Sequence, residues 1–280
     1  MTVCVAVCVH DGIVFASDSA TSLVGTDGNG NAIVERVYQY GNKIFNLDKR
    51  LPIVAMTAGL GALGNAPIHS LAKDFRRLLV AGKYEIDPEK YALSDVVDKA
   101  RDFLFEDKYK AAPAITGNHA LQFWVGGYSA ESDVHELYRI NIENGVCPAP
   151  EVLCNGGRCD LFWGGQPDAI NRLVIGWDDT LVESLKVAGV SDADMPGLLA
   201  MIKSRTAAHL LHPGMPMQDA IELSNFLVET TKGFVRFLPG ADTVGGETDI
   251  AVVTRHERFK WIKRKHYYSR KLNKLETDHV

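Results

Sequence analysis

A chain of 280 residues, 46% hydrophobic and 23% charged with a formal net charge of −5, can bury a large core and has no overall charge suited to a polyanion. No apolar run approaches the ~20 residues of a membrane helix, and the alternating N-terminal run lacks the basic flank and cleavage site of a secretory leader, so a cytoplasmic protein is expected, with no membrane or nucleic-acid partner. The five cysteines (Cys4, Cys8, Cys147, Cys154, Cys159) are odd in number and form no CxxC pair, so neither a disulfide framework nor a zinc site is expected and no metal ligand is singled out.

The pattern starts at residue 3. Val3, Val5, Val7 and Val9 alternate with Cys4, Ala6 and Cys8, which predicts a strand buried on both faces and pins Thr2 in a defined place. His10-Asp11-Gly12 carries hairpin-turn chemistry, and Ile13–Ala16 returns as a second strand ending at Ser17-Asp18-Ser19. The polar stretch 25–31 predicts a loop. Its Asp27, Asn29 and Asn31 imitate a calcium loop, but Ala32 stands at the turn glycine and Tyr38 at the closing glutamate. Two short strands are expected at 43–47 and 51–56. Helices follow from about Pro67, with Ile68, Leu71, Ala72, Phe75 and Leu78-Leu79 on one face, and again through Leu93, Val96-Val97, Ala100 and Phe103-Leu104.

The second half predicts strands at 121–128 and 136–142, helices around 169–187, 196–211 and 217–231, and a last strand at 249–254. Blocks of strands and blocks of helices argue for an α+β layered domain spanning 1–254. Residues 255–280 hold nine lysines and arginines against three acids and are expected to form a basic C-terminal extension, solvated or clasping a subunit.

Gly59-Leu60-Gly61-Ala62-Leu63-Gly64 matches GxGxxG between a strand and a helix, the setting of a dinucleotide loop, so a nucleotide-dependent oxidoreductase using Gly59, Gly61 and Gly64 is one reading. Against it, two hairpins precede the motif, the later acid could only be Glu85 or Asp87, and no alternation of strands and helices follows. A glycine turn at this junction also presents backbone N–H groups to negative charge, including the oxyanion that develops in a hydrolase. The matching nucleophile is Thr2. Once Met1 is removed, Thr2 carries its own base, an α-amino group of pKa near 8.

Several landmarks in order are similar to those of proteasome-type β-subunits, the N-terminal-nucleophile hydrolases. They are Thr2-Val3-Cys4-Val5-Ala6-Val7, His10-Asp11-Gly12, Ala16-Ser17-Asp18-Ser19, Asn42-Lys43-Ile44 and Met56-Thr57-Ala58-Gly59. Later ones are Val125-Gly126-Gly127-Tyr128, Leu137-Tyr138-Arg139-Ile140 and Val244-Gly245-Gly246. Among that family the chain most resembles the bacterial members without a propeptide: the HslV peptidase, the ancestral β-subunit group and the betaproteobacterial proteasome homologue. The resemblance implies a four-layer αββα sandwich of two antiparallel sheets between helical layers.

It also implies a threonine-type endopeptidase that needs no cofactor. Thr2 would be the nucleophile, Lys43 would lower the pKa of its groups, Asp18 would hold Lys43, and the Gly59 N–H would receive the oxyanion. Thr21 and Ser22 would line the cleft, and Thr57 would lie near the base of the specificity pocket. The implied assembly is a homo-oligomeric stacked double ring, a tetradecamer or else a dodecamer. It would act on peptides or unfolded proteins; the resemblance names no ATPase unfoldase partner. Three departures stand out. About ten residues are inserted between Asp18 and Lys43. Glycine (Gly164) stands where the family has a supporting serine, and only Asp242, with Thr243, is offered for the supporting aspartate–serine pair. They leave open a catalytically silent ring subunit.

Overall fold

The computed structural model describes residues 2–27, 32–113, 115 and 118–265. Strand β1 (Val3–Val9) is buried at every position, as its two-sided apolar pattern predicts. The turn at His10-Asp11 leads into β2 (Gly12–Ser17), which pairs antiparallel with β1 from Val9↔Gly12 to Cys4↔Ser17.

Where only a loop is expected, β3 (Thr21–Thr26) and β4 (Ala32–Tyr38) form a two-stranded ribbon of their own. Leu23 and Val24 on β3 are exposed, so the ribbon has no core-facing stripe to announce it. The tip of the predicted loop, 28–31, lies outside the described residues, and with it the calcium imitation.

β5 (Ile44–Asn46) and β6 (Ile53–Gly59) are followed by a small hairpin of β7 (Ala62–Leu63) and β8 (Ala66–Pro67), then α1 (Ile68–Val80). Helix α2 (Leu93–Arg101) runs on as a π-helical stretch, Asp102–Tyr109. Next come β9 (Ala120–Gly127), β10 (Glu136–Glu143), β11 (Glu151–Cys154) and β12 (Asp160–Gly165).

The single helix expected at 169–187 is two, α3 (Asp168–Val174) and α4 (Asp179–Val187), because the Asp178 carboxylate caps a fresh N-terminus by accepting from the Thr180 N–H. Helix α5 (Met195–Thr206) ends five residues earlier than expected, where the Ala208 N–H bonds to the Val174 carbonyl at 2.8 Å instead of continuing the helix. Helix α6 (Met217–Arg236) runs five residues longer. Strands β13 (Asp249–Thr254) and β14 (Arg258–Lys263) close the fold.

One sheet has the order β12-β1-β2-β13-β14 and the other β11-β10-β9-β6-β5, and every pairing is antiparallel. The alternation of β1 sorts the layers. Val3, Val5, Val7 and Val9 pack on one side against Ala220, Ile221, Leu227, Val228 and Val235 of α6, which recur at helical spacing. Cys4, Ala6 and Cys8 face the other sheet with Met56 and Trp124. Their small side chains leave room for the fully buried Trp124 and Phe15. The second sheet's far side, with Phe45, Ile53, Phe123 and Val125, is covered by α1 and α2 through Leu71, Phe75, Leu93 and Val97. Each such apolar side chain contributes roughly 1.5–3 kcal/mol by leaving water. Helix, sheet, sheet, helix: the expected four-layer α+β sandwich is what the chain forms.

The expected domain end at residue 254 is too early. Strand β14 pairs with β13, Phe259 and Trp261 pack against the inter-sheet core, and Lys265 is buried. Residues 266–280 of the expected basic extension lie outside the described residues.

Candidate active site

Thr2 is 4% exposed at the start of β1. Its carbonyl accepts the Gln166 N–H at 2.6 Å, and a Cβ on Gly165 would lie 1.8 Å from that same oxygen. Gly165 has φ +86°, so only glycine serves here: it lets the end of β12 grip the backbone of residue 2. Met1 lies outside the described residues.

Asp18 directly follows β2 in the core, with no exposed surface. Its Oδ1 accepts from the Val3 N–H at 3.0 Å and from Lys43 Nζ at 2.6 Å. Its Oδ2 accepts from the Ala20 and Gly245 N–H groups, each at 3.0 Å. Four donors thus saturate one buried carboxylate, one of them an ammonium; such charge-assisted bonds are about twice as strong as neutral ones. A buried ion pair is a weak source of stability, because desolvation offsets much of the attraction. Its firm consequence here is position: Lys43 is 5% exposed and fixed beside the Thr2–Val3 peptide.

The Lys43 carbonyl accepts the Thr57 N–H at 2.9 Å, and the Cys4 thiol donates to the Thr57 carbonyl at 3.1 Å. Strand β6 therefore faces both the lysine and β1. Burial pushes the Cys4 thiol far above its ordinary range, an effect that Lys43 opposes and Asp18 reinforces, so this neighbour of Thr2 stays protonated. The Thr57 hydroxyl donates to the Gln122 carbonyl at 3.2 Å. Gly59 closes β6, exposed and at φ +89°, and a Cβ there would lie 2.1 Å from the Ala120 carbonyl. The turn at the end of β6 thus needs its glycine.

Thr21 bridges this turn and the segment before Lys43. Its hydroxyl lies 2.1 Å from where a Cβ on Gly41 would be, and its methyl 3.3 Å from the corresponding point on Gly61. Ser22 Oγ is buried and has no hydrogen-bond partner among the described residues.

The dinucleotide reading of Gly59, Gly61 and Gly64 does not survive. The β7–β8 hairpin intervenes between β6 and α1, with Gly64 in its turn, so the glycines do not open the helix. The strands around them belong to antiparallel sheets, where no crossover unit can form.

The two candidate supporting positions have different surroundings. Gly164 lies within β12, opposite Cys4, and a Cβ there would sit 2.6 Å from Gln122 Oε1 and 3.0 Å from the Trp124 ring. Gln122 and Trp124 occupy the space that a serine side chain would need. Asp242 is exposed and lines an open cleft with Gln39, Glu229, Lys232 and Arg236.

The buried support that does exist was not foreseen. Lys265 Nζ is paired with Asp249 Oδ2 and donates to Ser19 Oγ at 2.6 Å, while Ser19 Oγ donates to the Glu247 carbonyl at 2.5 Å. The Ser19 and Ala20 N–H groups both bond to the Gly245 carbonyl, at 2.9 and 3.0 Å. The segment carrying Asp18 is thereby clamped to the residues that lead into β13 and to Lys265, just past β14. Lys265 gave no signal, being one cation among many in a basic run, and Asp249 read only as a strand start.

No protein-family model matches this sequence, and no curated protein matches it either. Among solved structures, the chain is similar to Anbu (ancestral beta-subunit) from Yersinia bercovieri, with a TM-score of 0.52 and 16% identity over 95% of this chain and 89% of that one. A Gly-1 mutant of Anbu from Hyphomicrobium sp. strain MC1 gives a TM-score of 0.49 at 16% identity, over 95% of this chain and 86% of that one. At such identity the likeness to the first establishes the fold, a proteasome-like layered sandwich, and the chemistry has to be argued from the side chains.

Proposed function

We propose that this chain is a threonine-type peptidase subunit of a self-compartmentalising ring. The observation that carries the reading is the buried Lys43–Asp18 pair held against the Thr2–Val3 peptide. An ammonium sealed beside a chain-terminal threonine favours the deprotonated form of nearby groups, which is what a hydroxyl nucleophile requires.

With Met1 removed, the Thr2 α-amino group takes the hydroxyl proton as Oγ attacks the peptide carbonyl. General-base help of this kind contributes about 10²–10⁴ in rate. The Gly59 N–H stabilises the oxyanion, a donor worth about 3 kcal/mol in such a site. Collapse of the tetrahedral adduct breaks the C–N bond, and the protonated α-amino group returns its proton to the departing amine. A water, deprotonated by the same amino group, then cleaves the Thr2 ester and frees the acid product. Thr21 and Ser22 on β3 line the cleft, and Thr57 lies beneath the pocket that receives a substrate side chain. Peptides or unfolded proteins are the substrates, and a stacked double ring of fourteen or twelve copies is the assembly.

A second reading, a catalytically silent ring subunit, is favoured by one pair of facts. Gln122 and Trp124 fill the space beside Gly164, and Asp242 lies out on the surface. Hydrolysis of a fluorogenic peptide library by the wild type and by Thr2→Ala separates the two. Turnover that the variant lacks supports the peptidase; equal rates from both would remove it.

A further inference from the structure

We propose that Cys8, His135 and Cys154 form a binding site for a divalent cation of the zinc class, distinct from the Thr2 site and structural in purpose. The three come from distant parts of the chain. Cys8 lies on β1 of one sheet, Cys154 ends β11 of the other, and His135 immediately precedes β10. Their two thiol sulfurs and an imidazole nitrogen all lie within 4.8 Å of one another, and all three residues are buried.

Chemistry and geometry both fit a soft tetrahedral site. Thiolate and imidazole are the ligands that zinc takes in closed structural centres. At bond lengths of 2.0–2.3 Å, tetrahedral ligand atoms stand about 3.3–3.8 Å apart, so small rotations about χ1 would close the cluster on an ion. The polar groups already converge: His135 Nε2 lies 3.3 Å from the Arg158 carbonyl, and the Cys154 thiol donates to that same oxygen at 3.3 Å. The edge of the Tyr128–His135 ring pair, at 6.2 Å between centroids and 78°, packs the imidazole in place.

A candidate fourth ligand lies outside that cluster as the side chains stand. Cys159 follows Cys154 with four residues between them, a spacing zinc sites use, across the turn joining β11 to β12. It is half-buried, and its thiol donates weakly to the Pro213 carbonyl at 3.8 Å. Binding would expel one proton from each ligating thiol, and the cation would neutralise thiolates that the core could not otherwise hold. The expectation of no zinc site came from spacing along the chain, which hides a cluster assembled by two sheets.

Cys8 is six residues from Thr2 along an extended strand, about 20 Å away. An ion there would staple the two sheets at the end opposite the nucleophile. The metal would therefore affect stability and leave the chemistry alone.

The test is metal content of the untagged protein purified under reducing conditions, followed by chelation and titration of the apoprotein with cobalt(II). Expected are one equivalent of zinc-class metal per chain and thiolate-to-cobalt charge-transfer bands with the visible bands of a tetrahedral ion. Cys154→Ser and Cys8→Ala should each lose more than about tenfold in metal affinity, while Cys147→Ser keeps it. The wild-type titration stands by itself, so a variant that fails to fold does not decide the matter. No thiolate–cobalt band from folded, reduced wild type would overturn the proposal, as would undiminished bands from Cys154→Ser. A Cys8–Cys154 disulfide in protein isolated from cells, seen as the loss of two hydrogens in mass, would also overturn it.

Discussion

Lys43 Nζ stands 2.6 Å from Asp18 Oδ1, and both side chains are closed off from solvent. The same carboxylate oxygen binds the Val3 N–H, so the pair and the backbone behind Thr2 form one unit. Removing one partner leaves an uncompensated buried charge, which costs about 3–5 kcal/mol. Lys43→Ala and Asp18→Ala should each lower the thermal midpoint at fixed protein concentration and abolish peptide hydrolysis. The double variant should be less destabilised than the sum of the two singles, because the first change already removes the shared interaction. Additive losses would show that the pair is not coupled.

Gly165 offers a sharper geometric probe. Alanine there places a methyl 1.8 Å from the Thr2 carbonyl and strains a backbone at φ +86°. Gly189→Ala is the control: φ is +90°, but nothing lies within 4 Å of the new methyl. The control should lose roughly 1–2 kcal/mol from backbone strain alone. Gly165→Ala should lose more and should cut peptide turnover at least tenfold, as expected when a nucleophile is displaced by about 1 Å. Similar turnover from the two variants would show that the β12 grip on residue 2 does not matter.

Cys4 is close to the proposed nucleophile and yet protected. Its thiol is fully buried, its pKa raised by that burial, and its S–H donates a hydrogen bond to the Thr57 carbonyl. Alkylation of the native protein at neutral pH should therefore leave peptide hydrolysis unchanged, and peptide mapping should find Cys4 unmodified. Inactivation that tracks Cys4 labelling would point to a thiol enzyme instead.

Lys265, the last described residue, is tied to the segment carrying Asp18 through Ser19. Lys265→Met leaves Asp249 buried without its cation and frees Ser19 Oγ from one bond. The expected loss is again about 3–5 kcal/mol, with partial recovery in Lys265→Met/Asp249→Asn. Truncation after Thr254 goes further, stripping β14 and exposing β13 as an unpaired apolar edge; size-exclusion chromatography should then show aggregation. A well-behaved truncated protein would restore the domain end to residue 254.

These residues also mark what the sequence can and cannot display. The period-two run from Val3 to Val9 and the helical stripes through Phe75 and Val97 are local patterns, and the layers they imply are the layers observed. Thr2, Asp18, Lys43 and Gly59 could be named through the resemblance to proteasome-type β-subunits, whose landmarks are short local runs such as Asn42-Lys43-Ile44 and Thr57-Ala58-Gly59. The β3–β4 ribbon was invisible because its apolar residues face outward, and β14 because a charged edge strand looks like a tail. Gly165, Lys265 and the Cys8–His135–Cys154 cluster are products of sheet register and of residues mostly more than a hundred positions apart. No local pattern contains them.

The most direct test of the central claim is the intact mass of the purified protein, with and without an epoxyketone inhibitor, beside a Thr2→Ala control. The expected result is a chain without Met1 that gains one adduct, which the control lacks. A chain that keeps Met1, or a trimmed chain that takes up no inhibitor, would contradict it.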